Sequence, residues 1–263
     1  MKPKPKHLGP EYGAQFADPS VVEAYRLRPP YPDDTFMLLL GLLGSEPRRV
    51  LDAGCGPGEI ARTLAPDVDR MDAVDASPGM IEYGMSLAGA DHPNLRWACA
   101  PMELARLDPP YGLIVASQSL HWMEWDDVLP RFRAALSPEG HLVLLDAIVA
   151  DPPWAKLLKE LIARFSTNRD FAPYDLVEEL ESRGLFRLGG EAQSSTRSLE
   201  RSVDEYVESL HSANGLSLDR MSPDAAMEFD RHVRALVTPH CEDGIIRLDV
   251  RGWLRWGRPL DGW

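Results

Sequence analysis

The chain has 263 residues, 44% hydrophobic and 26% charged, and its 28 basic against 41 acidic residues give a formal net charge of −13. That composition excludes a wholly disordered chain and fits one elaborated domain or two small ones. An acidic chain gains no counterion-release energy from a phosphate backbone, so no nucleic acid partner is expected.

Residues 1–10, MKPKPKHLGP, carry lysines with no apolar run behind them. They are not a signal peptide, and a flexible solvated tail is expected there. Residues 19–27 begin with a proline just inside a helix start, and RPPYP at 28–32 stops any helix. A helix is predicted over 33–44, its acidic start favourable to the helix dipole.

The rhythm then changes to short apolar strands alternating with short helices. Strands are predicted at 48–54, 70–76, 94–100, 111–118 and 140–147, with helices at 59–66, 77–89 and 126–137. Ser77 is placed to cap the second of these helices, with Pro78 at its first position. Pro130 lies inside the third. Such alternation means parallel pairing under covering helices. Beyond 150 the chain is more helical: 152–165, 172–184, 202–213 and 222–237 read as helices, with Ser202 and Glu205 in capping-box spacing. Residues 186–199 have extended character, and 244–257 read as a last strand or an edge hairpin. The expected division is a tail (1–10), a nucleotide-binding core with N-terminal lid helices (11–150), and a part completing the sheet and carrying cap helices (151–263).

No apolar run of about 18 residues exists, so no membrane span is expected. Cys55, Cys99 and Cys241 are widely spaced and odd in number. They form neither a disulfide framework nor a metal-ligand spacing, so no metal and a reducing, cytoplasmic location are expected.

VLDAGCGPG at 50–58 is the most informative stretch. Between a strand and a helix, Gly54, Gly56 and Gly58 permit a tight turn and a close approach of backbone amides to a ligand. Asp75 ends the next strand, where a carboxylate can accept both hydrogen bonds of a ribose diol. A dinucleotide fingerprint would require glycine at position 59. That position is Glu59, whose carboxylate would repel a pyrophosphate.

The turn therefore reads acid-x-G-x-G-x-G and resembles motif I of class I S-adenosylmethionine (SAM)-dependent methyltransferases, in particular the "type 11" small-molecule group. RPPYP before the first long helix and SLHW after the fourth strand are similar to that group as well. The resemblance covers residues 12–147 well and the remainder loosely. It implies a Rossmann-like, seven-stranded, mostly parallel α/β sheet with helices on both faces and an added helical cap.

The resemblance also implies roles. Asp52 orients the turn and meets the methionine amine, and Gly54 and Gly56 pass beneath the ligand. Asp75 holds the ribose hydroxyls, Ala76 and Met80 line adenine, and Ser117 offers its carbonyl to the amine. Where the group often reads G-D-A-E, this chain reads APME at 100–103, so only the Met102 amide and apolar packing carry over. Arg28 is the candidate partner of the SAM carboxylate, or else a structural salt-bridge former.

The cofactor carries the hard chemistry, so no triad or metal cluster is required. His121 is the one histidine beside the predicted pocket, either a general base or a helix-start histidine with a backbone partner. Trp122 is a pocket wall or packs on a helix. Tyr12, Tyr25 and Tyr31, with Phe16, form a water-excluding lid or an ordinary hydrophobic seam. The expected activity is methyl transfer to oxygen, nitrogen or carbon of a small molecule, by a monomer or homodimer without nucleic acid or membrane partners. The alternatives are a non-catalytic module binding SAM or S-adenosylhomocysteine (SAH), and an NAD(P)-dependent oxidoreductase.

Overall fold

A computed structural model describes residues 3–260. In chain order the elements are α1 (Pro10–Gly13), α2 (Pro19–Tyr25), α3 (Asp33–Leu42), β1 (Arg49–Ala53), α4 (Glu59–Leu64), β2 (Arg70–Asp75), α5 (Pro78–Met85), β3 (Leu95–Cys99), β4 (Tyr111–Ser117), α6 (Trp125–Ala135) and β5 (Leu136–Val149). There follow α7 (Ala155–Phe165), α8 (Leu176–Ser182), β6 (Phe186–Gln193), β7 (Arg197–Ser202), α9 (Val203–Leu210), α10 (Pro223–Val237) and β8 (Ile245–Pro259).

The strands form one sheet in the order β3-β2-β1-β4-β5-β8-β6, with β7 also paired to β8. Strands β1 to β5 pair in parallel, and β8 runs antiparallel to β5, β6 and β7. The sheet thus has eight strands among the described residues, not the expected seven. The extra one arises because the extended stretch near 186–199 is two strands. β6 pairs with residues 253–259 of β8 and β7 with 245–250, so the two lie end to end along one edge. Between them Ser194 continues the contact, its hydroxyl accepting from the Gly252 amide at 2.8 Å. The segment predicted as a last strand or edge hairpin is therefore a single long interior strand.

Side-chain alternation builds the layers. On one sheet face Leu51, Val74, Ile114 and Leu144 pack under Leu129 and Phe132 of α6. On the other, Val50, Met71, Val115 and Leu145 meet Leu39 of α3, Ile60 of α4 and Ile81 of α5. Burying each such side chain is worth roughly 1.5–3 kcal/mol. A third core, with Phe165, Tyr206, Phe229 and Val233, holds α7, α9 and α10 together against Ile246 and Leu248 of β8.

Local signals work as read. The Ser77 hydroxyl accepts from the Met80 amide, and Ser202 and Glu205 make a reciprocal capping box. The expected solvated tail is corrected where it is described. Lys6–Leu8 form a helical turn with His7 and Leu8 buried, and the Lys4 ammonium donates to the Met123 carbonyl at 3.0 Å. Leu8 supplies the apolar anchor, packing into the core beneath α6. No helix among the described residues is long and apolar enough to cross a membrane. Of the tryptophans near the end of the chain, Trp253 stacks on Arg255 and Trp256 packs against the α3 side of the sheet, while Trp263 lies outside the described residues.

Candidate functional site

The strand order reverses at β1, whose neighbours are β2 and β4. A crevice opens at such a switch point beyond the carboxyl ends of the strands. Here it receives the glycine turn. Gly54, Gly56 and Gly58 all adopt left-handed backbone conformations, with φ of 72°, 53° and 71°. At Gly54 a Cβ would also stand 2.5 Å from the Ser119 Cβ, so only glycine lets the turn approach the end of β4. The Gly54 and Cys55 amides donate to the Val74 carbonyl at 2.8 and 3.0 Å, tying the turn to β2.

Asp75, the last residue of β2, fixes the turn from its other side. One carboxylate oxygen accepts from the Gly56 amide at 2.8 Å and the other from the Ser77 amide at 2.8 Å. Burial pushes its pKa up, and those backbone donors oppose the rise. Asp52 differs. It is 1% exposed, and neither carboxylate oxygen has a hydrogen-bond partner. Burial, and next the negative charge of Asp75, push its pKa up to about 8, against the pull of the Ala61 backbone amide. A buried carboxylate left unpartnered at a cavity wall is built to meet a donor that is not part of the fold.

Two cavities adjoin there, sharing Tyr25, Gly54, Ser117 and Gln118 as a common wall. The smaller, ≈ 470 Å³, is lined by Gly56, Asp75, Ala76, Met80, Met102 and Trp122. The larger, ≈ 680 Å³, is lined by Arg28, Tyr31, Asp52, Ala147, Arg201 and Tyr206, among others. The first has the acceptors and apolar walls a nucleoside needs. The second brings lid, sheet and cap together. The Tyr31 and Ser117 hydroxyls are 2.5 Å apart, closing the lid segment onto the end of β4.

Arg28 sits between lid and cap, its guanidinium 4.2 Å from the centre of the Tyr25 ring. It donates to the Ser212 hydroxyl at 3.2 Å and carbonyl at 2.8 Å, and to the Gln118 side chain at 3.3 Å. No described carboxylate pairs with it within 4.0 Å, unlike Arg26, which pairs with Glu208 at 2.5 Å. Its positive charge is left to face the cavity.

Two predicted residues fall elsewhere. Tyr12 lines neither cavity, and its hydroxyl donates to Asp170 at 2.8 Å. His121 lines neither cavity and packs edge-on against Trp122, ring centres 4.6 Å apart. Burial, then the charges of Lys4, Arg28 and His7, push its pKa down to about 3. Protonating it is therefore unfavourable, and that weakens the general-base reading. His211 is not on the surface: it is 2% exposed and bridges the Leu216 carbonyl and Asp230, each at 2.8 Å. Asp146 pairs with Arg255 at 3.2 Å rather than reaching the cavities.

Two lining residues, Gln118 and Arg201, have no signal in the sequence, and a third, Glu103, is the last residue of APME, standing where the related group reads the final acid of G-D-A-E. Gln118 lines both cavities with φ of 49°, a conformation costing a non-glycine residue about 1–2 kcal/mol. Such strain is tolerated where geometry matters more than stability. Glu103 lines the smaller cavity three residues after Ala100, with one oxygen on the Glu124 amide at 2.8 Å and acceptor capacity to spare. Arg201 enters from β7, far along the chain. Cys55, Cys99 and Cys241 are all free thiols, and among the described residues no group of three or more His, Cys, Asp or Glu could hold a metal.

Residues 50–140, the span from β1 to the start of β5, match the family described as "Methyltransferase domain". The chain is 33% identical over 124 residues to a trans-aconitate 2-methyltransferase from Streptomyces avermitilis, covering 45% of this chain and 46% of that one. It is 33% identical over 92 residues to a malonyl-[acyl-carrier protein] O-methyltransferase from Acetivibrio thermocellus, covering 34% and 31%. The chain thus spans less than half the length of these curated relatives. A solved structure from Anaeromyxobacter dehalogenans, described provisionally as a type II methyltransferase, superposes with a TM-score of 0.60 at 25% identity, over 88% of this chain and 97% of that one. The matched stretch is the one that carries the glycine turn, Asp52 and Asp75, so residues 50–140 are similar to a methyltransferase domain, and the chain shares its Rossmann-like fold with the Anaeromyxobacter structure.

Proposed function

We propose that the chain is a SAM-dependent methyltransferase acting on a small molecule. The observation that carries this reading is the pairing of two buried carboxylates around the glycine turn: Asp75, held by two backbone amides, and Asp52, which makes no full hydrogen bond within the fold and has only the Ala61 amide acting on it. SAM fits that set. It offers a ribose diol to Asp75 and a cationic amine to Asp52. Ala76, Met80 and Met102 give an apolar slot for adenine, with Glu103 as acceptor for its amino group. Arg28 takes the carboxylate of the methionine moiety.

When bound, SAM supplies a methyl carbon on a sulfonium, already a strong electrophile. The chain's own work is to hold and orient. Orientation of this kind can reach effective molarities of roughly 10⁵–10⁸ M. The lid residues Tyr25 and Tyr31 and the cap residue Tyr206 exclude water around the larger cavity, where the acceptor sits. An acceptor that arrives ionised needs no base. The acidic chain disfavours a nucleic acid acceptor. Glu59 lines the larger cavity and disfavours a dinucleotide pyrophosphate, so a hydride-transfer reading has no support of its own.

Calorimetric titration with SAM, SAH and NADH tests the cofactor. SAM and SAH should bind and NADH should not. Transfer of labelled methyl to a panel of carboxylic acids, amines and phenols then tests the activity. Tight SAH binding with no labelled product across the panel would favour the non-catalytic module.

A further inference from the structure

The larger cavity holds a charge the fold does not neutralise. Arg201 is the next-to-last residue of β7, one residue before the capping serine of α9, and is 9% exposed. Its Nη2 donates to the Arg28 carbonyl at 3.1 Å, and its Nη1 is buried with no partner at all. No described carboxylate lies in ion-pair contact with it. Glu205, which acts on it electrostatically, is committed to its own helix cap, accepting from the Ser202 amide and hydroxyl at 3.0 Å each.

The other cations lining this cavity are spent. Arg26 pairs with Glu208 and Lys159 with Asp151 at 3.3 Å. Arg62 donates to the carbonyls of Pro57 and Ala88, and its charge is met electrostatically by Glu59. Of the lining acids, Glu59 accepts from the Tyr31 amide at 2.9 Å, and Asp52 belongs to the cofactor's amine in the reading above. Two guanidiniums remain, and Arg28 is assigned to the carboxylate of SAM. That leaves one unit of positive charge at Arg201. A guanidinium buried without a counter-charge is costly to keep unless an anion arrives to pair with it. Around it the wall is apolar and hydroxylic: Val149, Leu158, Ile162, Leu248, Tyr206 and Ser209.

We propose that Arg201 is the acceptor's specificity determinant, and that the acceptor carries a single carboxylate, held by this guanidinium, on an otherwise largely apolar body. One uncompensated charge suits a monoanionic carboxylate rather than a phosphate ester, and the planar fork matches a carboxylate edge. The inference rests on the methyl-transfer reading, because it takes Arg28 and Asp52 as occupied by the cofactor.

The test uses the full chain saturated with SAH and small probes that no cavity shape excludes. Acetate and benzoate are titrated against acetamide and benzamide at matched chloride ionic strength, with thermal melting as the readout. Carboxylates should raise Tm saturably and amides should not. Arg201→Met should weaken the carboxylate effect at least tenfold, Arg201→Lys should retain part of it, and SAH affinity should change less than threefold in both. If Arg201→Met does not fold, the Arg201→Lys titration and the acid-against-amide comparison in the unaltered chain decide. Equal responses to acids and amides, an undiminished shift in Arg201→Met, or a larger shift with inorganic phosphate than with acetate would overturn the proposal. Failure of SAH to bind at all would instead overturn the methyl-transfer reading.

Discussion

Arg28 and Ser212, 184 positions apart, are joined by two hydrogen bonds, from Nε to the hydroxyl at 3.2 Å and from Nη2 to the carbonyl at 2.8 Å. The contact ties the segment after α2 to the end of α9, across the mouth of the larger cavity. A cation that can meet a ligand is thereby also the fastener between lid and cap.

Removing that cation should cost cofactor affinity. Arg28→Ala is expected to weaken SAH binding at least tenfold, the scale of a hydrogen bond to a charged group, about 1.5–3 kcal/mol. Ser212→Ala, which leaves the charge in place, should weaken it less than threefold. Calorimetry on both variants separates charge from fastening.

Asp75→Asn keeps the side-chain size and one oxygen but loses the ionic acceptor. It should weaken SAH by about 1.5 kcal/mol or more. Unchanged affinity in a variant with normal melting would remove Asp75 from the site.

Asp52 makes stability and binding depend on pH in opposite directions. Its folded pKa, about 8, lies above the ordinary carboxylate value, so the folded chain holds a proton that the unfolded chain releases. The associated stability is full below about pH 4 and is lost as pH rises through 8. Asp52→Asn should abolish that loss, leaving the variant more stable than the parent at pH 8.5 in the absence of ligand. Cationic SAM favours the ionised form, so its affinity for the parent should rise from pH 6 to pH 8.5. In Asp52→Asn that rise should vanish. Melting curves and titrations at both pH values check the two halves.

His121 should not behave as a base. With its folded pKa lowered to about 3, protonation favours the unfolded chain as pH falls below the ordinary histidine value. His121→Gln should therefore gain stability relative to the parent between pH 6 and pH 4. Its kcat should stay within about threefold of the parent, with no change in the pH profile between 5 and 8. A kcat loss of a hundredfold that follows the acceptor's protonation would restore the base role.

Much of the core was legible because its signals are local. Short stretches of five to seven residues set β1, β2 and the continuously apolar β4, and Ser77 with Pro78 and Ser202 with Glu205 mark helix starts through contacts within one turn. The glycine turn and Asp75 were legible for the same reason: the backbone partners of the turn, Val74 and Asp75, lie on the very next strand. What escaped depends on distant partners. Leu8 looked like tail because the surface that buries it, beneath α6, is more than a hundred residues away. Arg201 sits in RSLERS, which reads as a solvated edge until β8 and the lid close over it. Gln118 carries no mark in its residue type, since left-handed backbone is read from glycine and asparagine.

Among the described residues β8 alone joins β5, β6 and β7 to one another. It follows all three in the chain, so a nascent polypeptide emerging from the ribosome must hold β6 and β7 with bare backbone edges until β8 arrives. Unpaired edges of that kind invite association with other chains, which makes this half of the sheet the part most exposed to chaperones and to misassembly during synthesis. Truncation before residue 245 would deprive three strands of a partner at once, leaving β1 to β5 as the only sheet able to form.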